Sequence, residues 1–144
     1  MKTLRFYVAG RLSNAGRVRQ VLDAIRERGH TITYDWTVGA DANGKFCDPP
    51  ERWPEISSAE IAGVKSADTV VIVQPGGFGA HTEFGAALAS GKDVWVVGTR
   101  EEMRAGAAYD CIFNWHPLVA RFETVENMLH HLDEVTGQFQ RSRR

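Results

Sequence analysis

Two cysteines in 144 residues, Cys47 and Cys111, are too few for a disulfide framework. Neither a CxxC nor an HxxxH spacing occurs, so no structural zinc site is expected. No apolar run approaches the ~18 residues needed to cross a bilayer, and the first residues lack the apolar stretch of a secretory leader. Neither sign of charge is in excess. Seventeen Lys+Arg stand against eighteen Asp+Glu, which leaves no basic field to hold duplex nucleic acid. The pattern GxGxxG is missing, which speaks against a dinucleotide-dependent enzyme. What remains is an ordinary globular composition, 43% hydrophobic and 24% charged. The length suits one domain over residues 1–144, with 138–144 a polar, basic tail expected to fray. The protein is expected to be cytoplasmic and to need no metal and no redox cofactor.

Strand and helix patterns alternate along the chain. Residues 4–9 are β-rich and run into Gly10. Ser13 and Asn14 then precede a helix whose Val18, Val21, Leu22 and Ile25 recur at helical spacing, and Gly29 ends it. Residues 31–34 read as a second strand. Residues 35–54, with three prolines and no periodicity, read as a long loop. Ser57 and Ser58 are expected to cap a helix over about 58–66. The β-branched run Thr69-Val70-Val71-Ile72-Val73 suits a strand buried on both faces. A small-residue helix is expected over about 81–90, a strand over 94–97, a weak helix or turn over 101–107 and a short fifth strand over 111–113. Val125, Met128, Leu129 and Leu132 give the last helix its apolar stripe.

This alternation predicts an α/β fold, a flavodoxin-like or Rossmann-like three-layer sandwich. Its five-stranded parallel sheet is expected in the order 2-1-3-4-5. Ligands on such sheets bind outside the carboxyl ends of the strands where the order reverses, between strands 1 and 3. Two glycine-containing loops, 10–16 and 74–81, fall on either side of that point.

The second of these loops carries the chemistry. Pro75, Gly76, Gly77 and Gly79 strip side chains from the chain where it leaves strand 3, so backbone N–H groups can approach an anion or a sugar. Glu83 is then expected in the first turn of the following helix, where the dipole favours its ionised form. A carboxylate beside a sugar pocket can act as a nucleophile or stabilise an oxocarbenium ion. Residue types alone equally allow a loop that simply needs glycines and a solvated glutamate. A second glycine stretch, Gly39 to Lys45, imitates a phosphate-binding loop. It has Phe46 where Ser or Thr would hold magnesium, and prolines rather than a helix follow.

Several motifs occur in order: Phe6-Tyr7-Val8-Ala9-Gly10, then Ala67-Asp68 leading the third strand, then Gly79-Ala80-His81-Thr82-Glu83-Phe84-Gly85-Ala86-Ala87 closed by Gly91-Lys92. Together they resemble the nucleoside 2-deoxyribosyltransferase superfamily, which includes nucleoside 5′-monophosphate N-glycosidases. The resemblance implies an enzyme that cleaves or transfers an N-glycosidic bond, with a nucleoside or nucleotide as substrate. It assigns Glu83 as glycosyl-accepting nucleophile and Tyr7 as its orienting partner. Glu60, where the family more often has Asp, would contact sugar hydroxyls or handle protons. Gly10, Arg11, Gly76, Gly77 and Gly79 would face the substrate. Gly76 stands where the monophosphate-cleaving branch carries a phosphate-binding Ser, so any phosphate would fall to backbone N–H groups and Arg11. Asp35 and Trp36 would approach the base, with Trp36 favoured over Trp53 and Phe78 for stacking. Asn114 or His116 would cross into a neighbouring subunit's site, which implies a homodimer or larger symmetric oligomer. The stretch from Pro75 to Glu83 is also similar to the PGGxGTxxE motif of cytokinin-activating phosphoribohydrolases, with Ala80 in place of Thr. A non-catalytic nucleotide sensor on the same fold is the competing class.

Overall fold

The computed structural model describes residues 1–104 and 106–138. All of the expected tail except residue 138 lies outside them. Five strands form one sheet: β1 Arg5–Gly10, β2 Thr31–Ile32, β3 Thr69–Val73, β4 Asp93–Val97 and β5 Val119–Phe122. Every pairing is parallel and the order is β2-β1-β3-β4-β5, as the alternation predicts. The register places Tyr7 beside Val70 and Gly10 beside Val73, so β1 and β3 end level. Helices α1 Ala15–Glu27 and α5 Val125–Thr136 pack together on one side of the sheet. Helices α2 Trp53–Ser66 and α3 Phe78–Ala89 pack together on the other. A short helix, α4 Arg100–Arg104, follows β4. Among the described residues no helix is long and apolar enough to cross a membrane.

Alternation along β1 decides which side chains meet which layer. Phe6 turns toward α1 and α5, with its ring edge-on to Trp95, which in turn meets His131 of α5. Tyr7 turns the other way, against Gly63 of α2. All five residues of β3 are buried, which explains why that strand is an unbroken β-branched run. Gly10 has a packing reason for its missing side chain: a Cβ there would collide with Val18 of α1.

Several elements differ from the sequence expectation. β2 spans two residues rather than four: the Thr33 N–H makes the last bond to β1, donating to the Phe6 carbonyl at 2.8 Å, while its hydroxyl turns to the Gly63 carbonyl at 2.7 Å. Helix α2 begins a turn and a half earlier, at Trp53, since Pro54 sits in the first turn, where its missing N–H has no helical partner to lose. Residues 112–115 form a 3-10 turn with Ile112 and Phe113 exposed, and the fifth strand lies further on, at Val119–Phe122. The long loop is not structureless. It contains 3-10 turns at Trp36–Gly39 and Pro50–Arg52 and a bridge between Ala40 and Phe46. Gly44 lies at φ +72°, and a Cβ there would stand 2.6 Å from Ser13 Cα, so the loop packs directly on the turn after β1.

Candidate active site

Three elements converge on the side of the sheet that α2 and α3 cover. β1 supplies Tyr7, fully buried; α3 supplies Glu83, 7% exposed; α2 supplies Glu60, half-buried. Helix α3 starts at Phe78 behind Gly77, so Glu83 lies in its second turn, not its first. That removes most of the expected dipole effect, which is confined to the first turn. Burial instead dominates. It raises the Glu83 pKa to about 8, with the Tyr7 hydroxyl pulling it down and the Glu60 charge pushing it further up. The carboxyl is therefore mostly protonated at neutral pH in the free protein, the reverse of the ionised state expected from a first-turn position. Burial also raises the Glu60 pKa. Tyr7 is pushed far up by burial and then by the Glu83 charge, so its phenol keeps its proton.

Tyr7 Oη and Glu83 Oε2 are both buried, and neither has a hydrogen bond within ordinary geometric limits among the described residues. They lie close enough to perturb each other's titration. Buried polar atoms without partners are uncommon, and they concentrate where a ligand or catalytic step needs them. Tyr34 joins the cluster through the field of Glu60. Gly63 makes room for it: a Cβ there would stand 2.8 Å from Tyr34 Cβ and 3.0 Å from Tyr7 Cδ2. Gly63→Ala should therefore be destabilising by about 1–3 kcal/mol, although alanine in an open helix would gain about 1 kcal/mol. Displacement of Tyr7 should lower activity alongside. A Gly63→Ala protein more stable than wild type by denaturant titration would contradict this placement.

The glycine loop is less free than its composition suggests. The Gly76 N–H is already held by Gln74 Oε1 at 2.6 Å. The Gly76 carbonyl accepts from the Arg11 guanidinium at 3.1 Å. Gly77 lies beside Arg11 and is the N-cap of α3, and its carbonyl is in contact with His81 Nδ1 at 2.9 Å. Gly79 is exposed, with only Glu83 Oε1 near the place its Cβ would occupy, at 3.8 Å. The fold thus brings Tyr7, Glu60 and Glu83 together, and Arg11 to Gly76 and Gly77.

Four residues are engaged elsewhere. Trp36 is 5% exposed and donates its indole N–H to the Val8 carbonyl at 2.8 Å, so it offers no free face to a base. Asp35 caps the following 3-10 turn through Thr37 and pairs with Arg26 at 2.9 Å. Burial alone would raise its pKa, but these bonds hold the carboxyl below the ordinary range. Asn114 is fully buried within its own chain behind Gln74, so it cannot reach across to another subunit. His116 precedes β5 and accepts from the Leu118 N–H at 3.0 Å. The aromatic surface beside the cluster comes from elsewhere: Phe46 and Trp53, both with exposed rings, line a cleft of about 200 Å³ together with Ile56, Ser57 and Glu60. Phe46 falls in the aperiodic loop, and the bridge to Ala40, flanked by bonds from the Asp41 N–H to the Lys45 carbonyl and from the Cys47 N–H to the Gly39 carbonyl, brings it there.

The sequence matches no protein-family model and no curated protein. Among solved structures the chain is similar to the Clostridium botulinum CMP N-glycosidase BcmB, with a TM-score of 0.57 and 19% identity. The match covers 91% of this chain and 98% of that one. At this identity the likeness is one of fold.

Proposed function

We propose that this protein belongs to the nucleoside 2-deoxyribosyltransferase superfamily and cleaves or transfers the N-glycosidic bond of a nucleoside or nucleoside 5′-monophosphate. The observation that carries the reading is the buried Glu83 carboxyl beside the Tyr7 hydroxyl and the Glu60 carboxyl, on the α2–α3 side of the sheet. The similarity of fold to a CMP N-glycosidase supports the same class of substrate.

In the reaction, the ionised Glu83 carboxylate forms a bond to the anomeric carbon as the bond from that carbon to the base nitrogen breaks. The base takes the electron pair and a proton. Glu60, whose carboxyl is pushed toward its protonated form by burial, supplies that proton. Water, or the nitrogen of a second base, then attacks the anomeric carbon and returns its proton to Glu60, and Glu83 leaves as carboxylate. The Tyr7 hydroxyl stays protonated and orients Glu83 throughout.

Incubation with a panel of nucleosides and 5′-monophosphates, CMP and cytidine among them, tests this by chromatography of free base. The expected result is base release by wild type, and an added acceptor base distinguishes transfer from hydrolysis. Binding without release would make the protein a nucleotide sensor instead. Release confined to cytokinin-type adenine nucleotides would favour the phosphoribohydrolase reading, to which the stretch from Pro75 to Glu83 is similar.

The base is proposed to lie in the Phe46–Trp53 cleft. Stacking on one aromatic face contributes about 1–3 kcal/mol, so Trp53→Ala should raise KM about tenfold with a smaller change in kcat. An unchanged KM would move the base elsewhere. The protein is also proposed to be a homodimer or larger symmetric oligomer. Phe78, Tyr109, Ile112 and Phe113 are all exposed around a cleft of about 1080 Å³ that reaches Arg11 and Gly77, an unusual apolar surface for a monomer. Light scattering should give a multiple of 16 kDa, and Phe78→Asp should reduce it. A fully active 16 kDa species at micromolar concentration would refute this assignment.

A further inference from the structure

β3 delivers Gln74 as the first residue past its end, and the side chain is fully buried. Both ends of its amide are used. Oε1 accepts the Gly76 N–H at 2.6 Å, and Nε2 donates to Asn114 Oδ1 at 3.2 Å. Asn114 is fully buried as well. Its Nδ2 donates to the Cys111 carbonyl at 3.3 Å, and its own carbonyl accepts from Arg121 at 3.1 Å. Gly98, at φ +153°, vacates the space, since a Cβ there would stand 2.9 Å from Gln74 Cβ. The main chain of Gln74 is fixed too: its N–H donates to Val97 and its carbonyl accepts from Arg17 at 2.9 Å. At the far end of this path the Gly76 carbonyl accepts from Arg11 at 3.1 Å.

An unbroken path therefore runs from the 3-10 turn Ile112–Trp115, through two buried amides, to the guanidinium beside the glycine loop. A glycine with a free N–H samples many backbone conformations, and its carbonyl swings with them. Once the Gly76 N–H is tied to Gln74, that carbonyl has a defined direction, and so has the arginine bound to it. Resting on the nucleotide reading above, we infer that Gln74 and Asn114 are positioning residues that set Arg11 for the anionic group of the substrate. Glu83 hangs from α3 and Tyr7 from β1, and neither hydrogen-bonds to the path among the described residues. The pair therefore governs capture of the nucleotide and not the glycosyl step.

The test is a double-mutant cycle with Gln74→Met and Arg11→Ala, read on CMP and on cytidine. Loss of a buried hydrogen bond that acts through Arg11 should raise the KM for CMP about tenfold in Gln74→Met, with kcat changed by less than about threefold and the cytidine KM nearly constant. The double variant should be no worse than Arg11→Ala alone, because both remove one interaction. Effects that multiply, or a fall in kcat at constant KM, would overturn the assignment. Hydrogen exchange at the Gly76 amide reads the path with no substrate present. It should be slow in wild type and in Arg11→Ala and fast in Gln74→Met, and equal rates in all three would defeat the proposal. Should Gln74→Met not fold, Gln74→Glu takes its place. It loses the donor to Asn114 and should show the same sub-additivity at smaller amplitude. Wild-type protein that releases base from no substrate would overturn the enzymatic reading together with the capture role, while slow Gly76 exchange that depends on Gln74 would leave only the loop-fixing contact standing.

Discussion

Glu83→Ala is expected to abolish turnover while leaving the fold intact. Removing the group that forms the glycosyl bond should lower kcat by several orders of magnitude, on the order of 5 kcal/mol. The fold should survive because, among the described residues, the side chain makes no hydrogen bond whose loss would strand a buried partner. Tyr7 Oη, which perturbs its titration, already lacks one among the described residues. The measurement is base release alongside circular dichroism and a thermal melt. A folded variant keeping more than a tenth of wild-type activity would exclude Glu83 as nucleophile and return the acid to a structural role.

The same carboxyl should make the protein less stable as pH rises. Its pKa is near 4.5 when solvated and about 8 in the folded chain, with burial as the main cause. Between those values the folded state keeps a proton that the unfolded state has released, so stability falls with increasing pH. The contribution is fully present below about pH 4.5 and is lost as pH passes 8. A tenfold difference in proton affinity is worth about 1.4 kcal/mol, so the whole window amounts to roughly 5 kcal/mol. Glu60 acts with the same sign, its pKa also being raised. Glu83→Gln carries no titrating group at this position. It should match wild type near pH 4 and exceed it by several kcal/mol at pH 9 in denaturant titrations. A wild-type-to-variant gap that does not change with pH would show that Glu83 is not desolvated. Catalysis runs the other way, since the nucleophile must be ionised. The free enzyme's kcat/KM should therefore rise as Glu83 ionises toward about pH 8, and fall again where Glu60 loses the proton it gives to the base. Where the site works best, the fold is weakest, a trade-off familiar from functional sites.

The sheet order is legible in the sequence because each strand carries its own signal: the β-branched run of β3, the run of β1 into Gly10, and a glycine near the end of most helices. Tyr7, Glu60 and Glu83 are reachable from motifs spread along the chain. Other features depend on tertiary packing that no local pattern encodes. Cys111, Ile112 and Phe113 look like a strand by composition, yet two of the three are exposed and the strand falls at 119–122. Trp36 follows β2 directly and invites a stacking role, but its indole N–H satisfies the Val8 carbonyl beyond the short second strand. Pro54 reads as a loop residue, yet its first-turn position makes it compatible with a helix. The protonation of Glu83 turns on magnitude. A first-turn dipole is worth about 0.3–1 kcal/mol at an exposed site, and near-complete burial outweighs it. Gln74 gives no signal at all, since its importance lies in partners two and forty residues away.

The seating of residues 40–46 on the turn after β1 bears on how a ligand arrives. Asp41 Oδ1 gathers the N–H groups of Asn43 and Lys45, the Ala40–Phe46 bridge closes the loop, and Gly44 rests on the backbone of Ser13. A segment so tethered has little conformational freedom left to surrender. Phe46, at its end, faces the cleft already in place, so complex formation should carry a small ordering penalty, and its heat capacity change should reflect the covered aromatic area. Discrimination between bases then rests on the shape of a preset slot, and in kinetic terms on how fast a misfit departs, not on how slowly a gate shuts.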